Sequence, residues 1–497
     1  MAPGTLAVRL LLEALPDKTV HGALPSTVAR IASDSRRVAP GDCFVAVPGF
    51  KQDARRFAAD AVARGAALVV TEGAPLDVGA PQILVPSARR ALSRLAAAYY
   101  AHPSRQLRLV GITGTNGKTT TSYLVEALLR ALGLRAGVIG TIQYVVGDER
   151  RPAGQTTPEA LDIQAMLAQM RETGVGGVVL EVSSHALVLD RVEDLAFDVA
   201  VFTNLTQDHL DFHGTLEAYA RAKRRLFRLL ADSPKPRRTA VVNIDDPAGP
   251  TMVEGLPLSV QSFGLGQDAD VHPVEYASTM DGIRLAVATP RGRLSLASPL
   301  IGEHNVRNLL GAVAVGLALD MEPPVIAAAL SKVDTVPGRF EQVRAGQPFL
   351  VVVDYAHTPD ALERVLTTAR KLTHGRLAAV FGCGGDRDRG KRPLMGAIAA
   401  RLCDRVWVTS DNPRSESPEG IIDEILGGIG GGRVDERRVT RLADRQGAIR
   451  AALAWAAVGD AVVIAGKGHE TYQIVGTDVL PFDDREVARQ TLREDWA

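Results

Sequence analysis

The chain has 497 residues, 46% hydrophobic and 5% aromatic, with 57 basic and 57 acidic side chains and a formal net charge of zero. That length suggests about three domains with ample core, and the charge balance argues against nucleic acid or an anionic membrane surface as the main partner. No apolar run approaches the ~18 residues of a membrane helix, Arg9 and Glu13 break any signal-peptide layout, and Cys43, Cys383 and Cys403 form no CxxC pair, so a reduced, cytoplasmic protein with cysteines as core fillers is expected.

Residues 1–106 alternate short apolar runs (DCFVAVPG, AALVVTEG, PQILVPS) with alanine-rich helical stretches and read as a small α/β unit. The polar bridge YYAHPSRQ (99–106) leads into the strand LRLVGITG. In residues 107–335, strand-like runs (GGVVLEV, FDVAVFTN, TAVVNIDD) alternate with helical segments, which predicts a mostly parallel sheet covered by helices. From about 258 to 301 short runs separated by turns predict an antiparallel edge sheet. TVPGRFE (335–341) marks a further boundary, and residues 336–497 carry FLVVVDYAH, LAAVFGCGG, RVWVTSDNP and AVVIAGKGHE, each a strand ending in polar or glycine residues. That pattern predicts a doubly wound, Rossmann-like unit with ligand-facing loops at the strand C-termini. LGGIGGGR (426–433) reads as a flexible surface loop without function. The expected fold class is therefore α/β in three domains, the central one of the P-loop ATPase type.

GITGTNGKTTT (111–121) joins that central strand to a helix through glycines 111, 114 and 117. A glycine turn feeding Lys118-Thr119 and a helix aims backbone N–H groups and the helix N-terminus at phosphate oxygens, with Lys118 reaching the outer phosphates and Thr119 holding Mg²⁺. The spacing departs from G-x₄-G-K-[ST], because position 112 is isoleucine. Glu181 ends the strand GGVVLEV, where such folds carry a second metal-holding carboxylate, although a strand-terminal glutamate can equally be structural. Asp208, His209, Asp211 and His213 crowd into six residues; they read either as donors for a divalent ion or as a solvated capping loop. In TLEAYARAKRRLFRLL the apolar positions Leu216, Tyr219, Ala220, Leu226, Phe227 and Leu230 recur at helical steps, and Lys223 falls on their stripe while Arg224, Arg225 and Arg228 do not. Such a lysine either snorkels to water or is buried, deprotonated and open to carbamate formation with CO₂.

GTNGKTT, TTPE, EVSSHAL, NLTQDHLDFHG, AYARAKRRLF, GEHNVRNLLGA, PGRFE, VDYAHTPDAL, FGCGGDRDRGKRP, DNPR and GKGHE follow one another in the order found in Mur ligases. The chain resembles that family over nearly its whole length, and most closely the branch that makes UDP-N-acetylmuramoyl-tripeptide. The resemblance implies an N-terminal domain for the UDP end (1–106), a central ATPase (107–335) and a C-terminal domain for the incoming amino acid (336–497). It also implies ATP and Mg²⁺ as cofactors, phosphorylation of the D-glutamate carboxyl of UDP-MurNAc-L-Ala-D-Glu, and attack on the acyl phosphate by a diamino acid. No nucleic acid or membrane insertion is expected, and a monomer is.

By position, Gly114, Thr115, Asn116, Gly117, Lys118, Thr119 and Thr120 resemble the nucleotide loop, and Asn305, Arg339 and Asp354 fall where relatives contact adenosine and phosphate. Thr119, Glu181, His209 and a carbamylated Lys223 would serve Mg²⁺, with Lys118, Glu181, His209 and Lys223 carrying catalysis. Ser33, Ser35 and the loop 50–52 match the uridine site. Thr156, Thr157, Ser183 and Arg191 match contacts to the sugar-peptide, where Leu189 and Gln155 depart from the usual residues. Arg387, Asp411, Asn412, Pro413, Arg414, Gly466 and Glu470 match the amino-acid site. Relatives with DNPR typically add meso-diaminopimelate, and the planar fork of Arg414 suits the distal carboxylate that lysine lacks. Taken without the resemblance, Arg414 reads as a surface ion-pair residue.

Overall fold

The structure, a computed structural model, describes residues 4–49, 53–429, 435 and 437–496. The predicted uridine loop 50–52 and positions 430–433 of the glycine-rich segment lie outside the described residues. The chain forms two compact units: Met1–His272 with Ala288–Gly292 and Leu310–Ile326, and Pro273–Val287 with Arg293–Leu309 and Ala327–Ala497. No described helix is long and apolar enough to cross a membrane.

The first unit holds a two-stranded pairing of Leu6–Ala7 with Thr27–Val28 and two larger sheets. The smaller runs in the order Thr19–His21, Gln82–Val85, Leu68–Glu72, Cys43–Val45, Ile31–Ala32, parallel except for the outer strand Thr19–His21. Val45, Leu68, Val70 and Ile83 pack with Leu92 and Leu95 of the helix Ala88–Tyr99, which Ser87 starts by accepting a hydrogen bond from Arg90 N. All three cysteines are buried and unbridged, as core fillers should be.

The larger sheet has eight strands in the order Glu149–Pro152, Gln143–Val146, Arg135–Ile139, Val175–Glu181, Arg108–Thr113, Val199–Phe202, Thr239–Asn243, Ser259–Phe263. The last six are parallel and the first two form an antiparallel hairpin on the edge. Strands covered on both faces can be apolar throughout, which is why VGGVVLE and VAVF read as uninterrupted runs. The expected antiparallel sheet over 258–301 needs correction. Ser259–Phe263 pairs parallel with Thr239–Asn243, and only His272–Thr279, Gly282–Thr289 and Gly292–Ser298 form a separate three-stranded sheet. An edge strand with one exposed side, SVQSF, lacks the apolar run that marks its buried neighbours.

Asp194 is an instructive cost in this unit. Burial raises its carboxyl to about 6, and its Oδ2 is buried without a hydrogen-bond partner among the described residues. A carboxyl whose folded value lies above its unfolded one holds more protons in the native state, so stability falls as pH rises from about 4 to about 6. Asp194→Asn is therefore expected to raise the unfolding midpoint at pH 7.5, by about 1–2 kcal/mol of stability, and to change little near pH 4. Calorimetry at the two pH values checks this; an equal effect at both would refute it.

The second unit is built on six strands in the order Glu341–Gln342, Leu350–Asp354, Ala461–Ala465, Leu377–Phe381, Arg405–Val408, Val439–Arg441, parallel except for the first. Helices Pro359–Leu372, Lys391–Leu402 and Pro418–Leu426 bury Leu362, Leu366, Met395, Ile421 and Ile422 on one face. Arg445–Trp455 and Asp484–Trp496 bury Ala448, Ile449, Ala488 and Leu492 on the other. The last strand, Ala461–Ala465, returns between the first two long parallel strands, so the winding reverses there and the loops after Asp354, Phe381, Val408 and Ala465 open at a switch point. The doubly wound expectation holds. The short pairings at Glu341–Gln342 and Val439–Arg441 and the hairpin Tyr472–Val475/Asp478–Pro481 are additions to it.

Candidate active site

In the first unit the strand Arg108–Thr113 ends in Gly114, whose φ of +151 and closeness to Thr203 Oγ1 leave no room for a Cβ. The loop is fixed from the neighbouring strand end. Thr115 N donates to Asn204 O at 2.8 Å, Asn116 N to Asn204 Oδ1 at 2.9 Å, and Thr203 Oγ1 to Asn116 O at 2.6 Å. Lys118 opens the helix Lys118–Ala131 and folds its Nζ onto Gly114 O and Thr115 O, both at 2.9 Å. Its ammonium thus closes the crown of the loop, the position from which it can turn to phosphate oxygens.

Glu181 ends the neighbouring strand and is 1% exposed. Thr119 Oγ1 donates to its Oε2 at 3.0 Å, and Thr141 donates through N at 2.9 Å and Oγ1 at 2.8 Å. The carboxylate and the loop threonine therefore meet, as the metal reading requires. Lys223, on the helix Leu216–Ala231, is 1% exposed, so its stripe position means burial rather than snorkelling. Its Nζ lies 4.0 Å from the Tyr219 ring centre and makes no ion pair among the described residues. Burial first, then the charge of Lys118, holds its amine well below the usual lysine range.

His209 has a left-handed φ of +53, and its Nε2 lies 3.5 Å from Asp208 Oδ2. Burial, ahead of the charges of Lys118 and Lys223, lowers its ring, and His185, 4.8 Å away centre to centre, is lowered to about 4 by burial. Both imidazoles are neutral at pH 7 and can offer a lone pair. His213 is engaged with Ser184 Oγ at 2.9 Å. Among the described residues no three His, Cys, Asp or Glu side chains converge as a ready-made metal cluster. Of the groups at this site the Glu181 carboxylate and the Thr119 hydroxyl offer the oxygen donors that a hard cation supplied with phosphate takes, whereas the Lys223 amine would do so only as a carbamate.

The residues expected to contact the sugar-peptide gather behind Glu181. Thr157 Oγ1 donates to Glu181 O at 2.7 Å and accepts from Ser183 N at 3.0 Å. Thr156 Oγ1 lies 3.1 Å from Thr141 Oγ1. Arg191 donates to Thr157 O and Gln155 Oε1, both at 2.9 Å, and pairs with Glu159 at 2.5 Å. Gln155, one of the departures, thus orients the arginine, and Leu189 is buried. Ser35 begins a short 3₁₀ turn capped by Asp34, and Ser33 lies just before it in the small sheet's domain.

In the second unit Asp354 accepts from Phe340 N at 2.6 Å and Ala356 N at 2.8 Å, and burial raises its carboxyl against the pull of Arg339. Asn305 is buried and spends its amide on Ile301 O and Asn308. The loops after three strand ends converge on Arg414: its Nη1 donates to Gly385 O at 2.9 Å and lies 3.4 Å from Asn412 O. Its backbone, at φ +53, is held by the hairpin, N to Ile474 O at 3.1 Å and O from Gly476 N at 2.8 Å. The Arg387 and Arg414 side chains both lie beside Gly384. Neither arginine makes an ion pair among the described residues, so two cations stand at this switch point with acceptors that are carbonyls only. Gly466 faces the Asp411 carboxylate at a distance that excludes a Cβ, and Asn412 Nδ2 donates to Glu470 Oε2 at 2.9 Å. Pro413 lies between Asn412 and Arg414 in this loop.

Two supports were missed in the sequence. Lys467, fully buried, donates to Asn412 Oδ1 and Glu470 Oε2, each at 3.1 Å, so Glu470 already has a cation. The buried pair Arg445–Asp484 at 2.7 Å also ties Ser410 O and Ala465 O, bracing two of the loop roots. Lys467 stands inside a motif that could have flagged it; the Arg445–Asp484 pair leaves no local signal.

A glycine loop that opens a helix at the end of a parallel strand, opposite a buried carboxylate closing the next strand, defines a P-loop nucleotide-using enzyme. The descriptions "Mur ligase family, catalytic domain", "Mur ligase middle domain" and "Mur ligase, glutamate ligase domain" match residues 27–100, 112–316 and 338–468. The chain is 47% identical over 487 residues to the UDP-N-acetylmuramoyl-L-alanyl-D-glutamate--2,6-diaminopimelate ligase of Geobacillus kaustophilus, covering 97% of this chain and 99% of that one. It is 49% identical to the protein of the same name from Gloeobacter violaceus over 94% of both chains. A solved structure of a ligase with that name is 34% identical with a TM-score of 0.72, covering 99% and 100% of the two chains. A MurF ligase of Thermotoga maritima in complex with ADP shares the fold, at 20% identity and a TM-score of 0.59 over 94% of this chain and 97% of that one. The chain belongs to the Mur ligase family, and it is an ATP-dependent ligase.

Proposed function

We propose that this enzyme joins meso-2,6-diaminopimelate to UDP-N-acetylmuramoyl-L-alanyl-D-glutamate in cytoplasmic peptidoglycan precursor synthesis, acting as a monomer. The observation that carries the reading is identity of 47% along nearly the whole chain to ligases of that name; two arginines without carboxylate partners among the described residues, at the second unit's switch point, support the choice of amino acid.

In this reading 1–106 holds the UDP end through Ser33 and Ser35, 107–335 uses ATP, and 336–497 receives the amino acid. A carboxylate is a poor electrophile, and transfer of the terminal phosphoryl group to the D-glutamate carboxyl supplies a leaving group. The diamino acid's amine then adds to the acyl carbon, phosphate departs, and the nitrogen loses a proton as the amide forms. The loop Gly114–Thr120 cradles the nucleotide and Lys118 balances phosphoryl charge. Asn305, Arg339 and Asp354 are assigned to nucleotide, and Thr156, Thr157, Ser183 and Arg191 to the sugar-peptide. Arg387, Asp411–Arg414, Gly466 and Glu470 are assigned to diaminopimelate, with Arg414 on its distal carboxylate. Thr119, Glu181, His209 and Lys223 as a carbamate would hold Mg²⁺, which when bound neutralises phosphate charge.

The test is an amino-acid panel with UDP-MurNAc-L-Ala-D-Glu and ATP, scored by released phosphate and product mass. Phosphate release that requires meso-diaminopimelate, with a product carrying that residue, is expected. Preference for lysine, or phosphate release without an amino acid, would overturn it.

A further inference from the structure

The turn Gly466–Glu470 carries two residues assigned to the amino acid, yet its His469 has no part in that assignment. The His469 ring lies 5.0 Å from the Tyr355 ring, and Arg339 Cζ lies 4.9 Å from the centre of the same tyrosine. His469 Nδ1 is buried and finds no hydrogen-bond partner among the described residues. Buried polar atoms are nearly always paired, yet this imidazole is located by a ring contact with Tyr355, the planes tilted at 44°, rather than by a bond at Nδ1. The ring is also uncharged: burial first, then Arg339 and Arg485, lower it to about 3.

The backbones around the stack are in direct contact. Tyr355 N donates to Gly338 O at 2.9 Å and Gly466 N to Asp354 O at 3.1 Å. Gly468, at φ +53, approaches so closely that a Cβ there would lie 2.7 Å from Tyr355 Cβ and 2.8 Å from Gly338 O. Glu341 Oε2 accepts from Gly338 N at 2.7 Å, which anchors the segment on the Arg339 side. Arg339, Tyr355 and the turn that leads to Glu470 thus form one continuous run of contacts.

We propose that His469 is a positioning residue which, through the Arg339–Tyr355–His469 stack, couples nucleotide occupancy at Arg339 to the geometry of Glu470 in the amino-acid site. The proposal rests on the assignments under Proposed function and adds a residue and a linkage to them. Linkage is reciprocal, so nucleotide should tighten amino-acid binding and the amino acid should tighten nucleotide by the same factor.

The experiment is calorimetric titration of meso-diaminopimelate into the full-length enzyme with and without a non-hydrolysable ATP analogue and Mg²⁺. The wild type is expected to bind more tightly with the analogue, by a factor within the usual ~5–150-fold range of coupling. His469→Ala should bring that ratio to within about twofold of unity while the affinity measured without nucleotide stays near wild type. His469→Phe, which keeps the stacked ring and removes the nitrogens, should retain most of the ratio. A wild-type ratio in His469→Ala, or a ratio in His469→Phe as low as that in alanine, overturns the proposal. Tyr355→Leu repeats the test from the other side of the stack should His469→Ala unfold. Because the readout is a ratio within one protein, failure to bind diaminopimelate while another diamino acid binds counts against the function. An unchanged ratio for whichever amino acid binds counts against the coupling.

Discussion

Lys223→Met is expected to leave the protein folded and at least as stable, while lowering kcat by about 10²–10³-fold, the cost of removing one preorganised electrostatic group. The two halves of that outcome have one cause. Lys223 is buried over Tyr219 without an ion pair among the described residues, and its amine is held well below the ordinary lysine range of 10.5 by burial and by Lys118. In the unfolded chain the amine binds a proton that the native site rejects, so the native state gains stability as pH rises toward that range and is taxed below it. A methionine of similar length removes the tax. In the proposed function it also removes the amine that would add to CO₂, with release of a proton, to give a carbamate, an anionic oxygen pair suited to Mg²⁺. Lys223→Arg should be as inactive as methionine, since a guanidinium stays protonated. Wild-type activity should fall in CO₂-depleted buffer and return with bicarbonate, and intact mass should report the adduct. Full activity in Lys223→Arg would refute the role.

The stripe that contains Lys223 illustrates what was readable in advance. Helical periodicity put the lysine among Tyr219, Leu226 and Phe227 but left snorkelling and burial both open, and the structure decides for burial. The strand before the phosphate loop and the one ending in Glu181 were readable for a related reason, since strands covered on both faces carry apolar residues at every position. Elements with a wet side were not. Ser259–Phe263 and the hairpin Tyr472–Val475/Asp478–Pro481 offer neither run nor strict alternation. Long-range polar supports were hidden as well: Arg445 and Asp484 stand 39 positions apart, and nothing local distinguishes them from surface charges. Glu470 was legible as a ligand-type residue, but its pairing with Lys467 depends on a turn whose geometry spacing does not encode. Sequence therefore gives the chemistry-bearing residues more readily than the groups that hold them in place.

Arg414 is where holding and the proposed binding meet, and its replacement is the second large effect expected. Arg414→Ala should weaken meso-diaminopimelate binding by about 2–5 kcal/mol, the cost of removing one member of a desolvated charge pair. The backbone contributes little to that loss. Position 414 is left-handed at φ +53 with arginine already in place, and alanine meets the same strain. The hairpin bonds from Ile474 and Gly476 involve only the main chain and persist. What disappears is a guanidinium whose Nη1 rests on Gly385 O and which has no carboxylate partner among the described residues. Arg414→Lys should recover only part of the affinity, because an ammonium cannot present two parallel donors to one carboxylate. The discriminating measurement is selectivity. Lysine has no distal carboxylate, so its kcat/KM should hardly change in Arg414→Ala while that for diaminopimelate falls by roughly 30-fold or more, the kinetic equivalent of the lower bound. Parallel losses for both amino acids would mean that Arg414 supports the loop rather than reads the substrate, and an unchanged diaminopimelate affinity would remove it from the site.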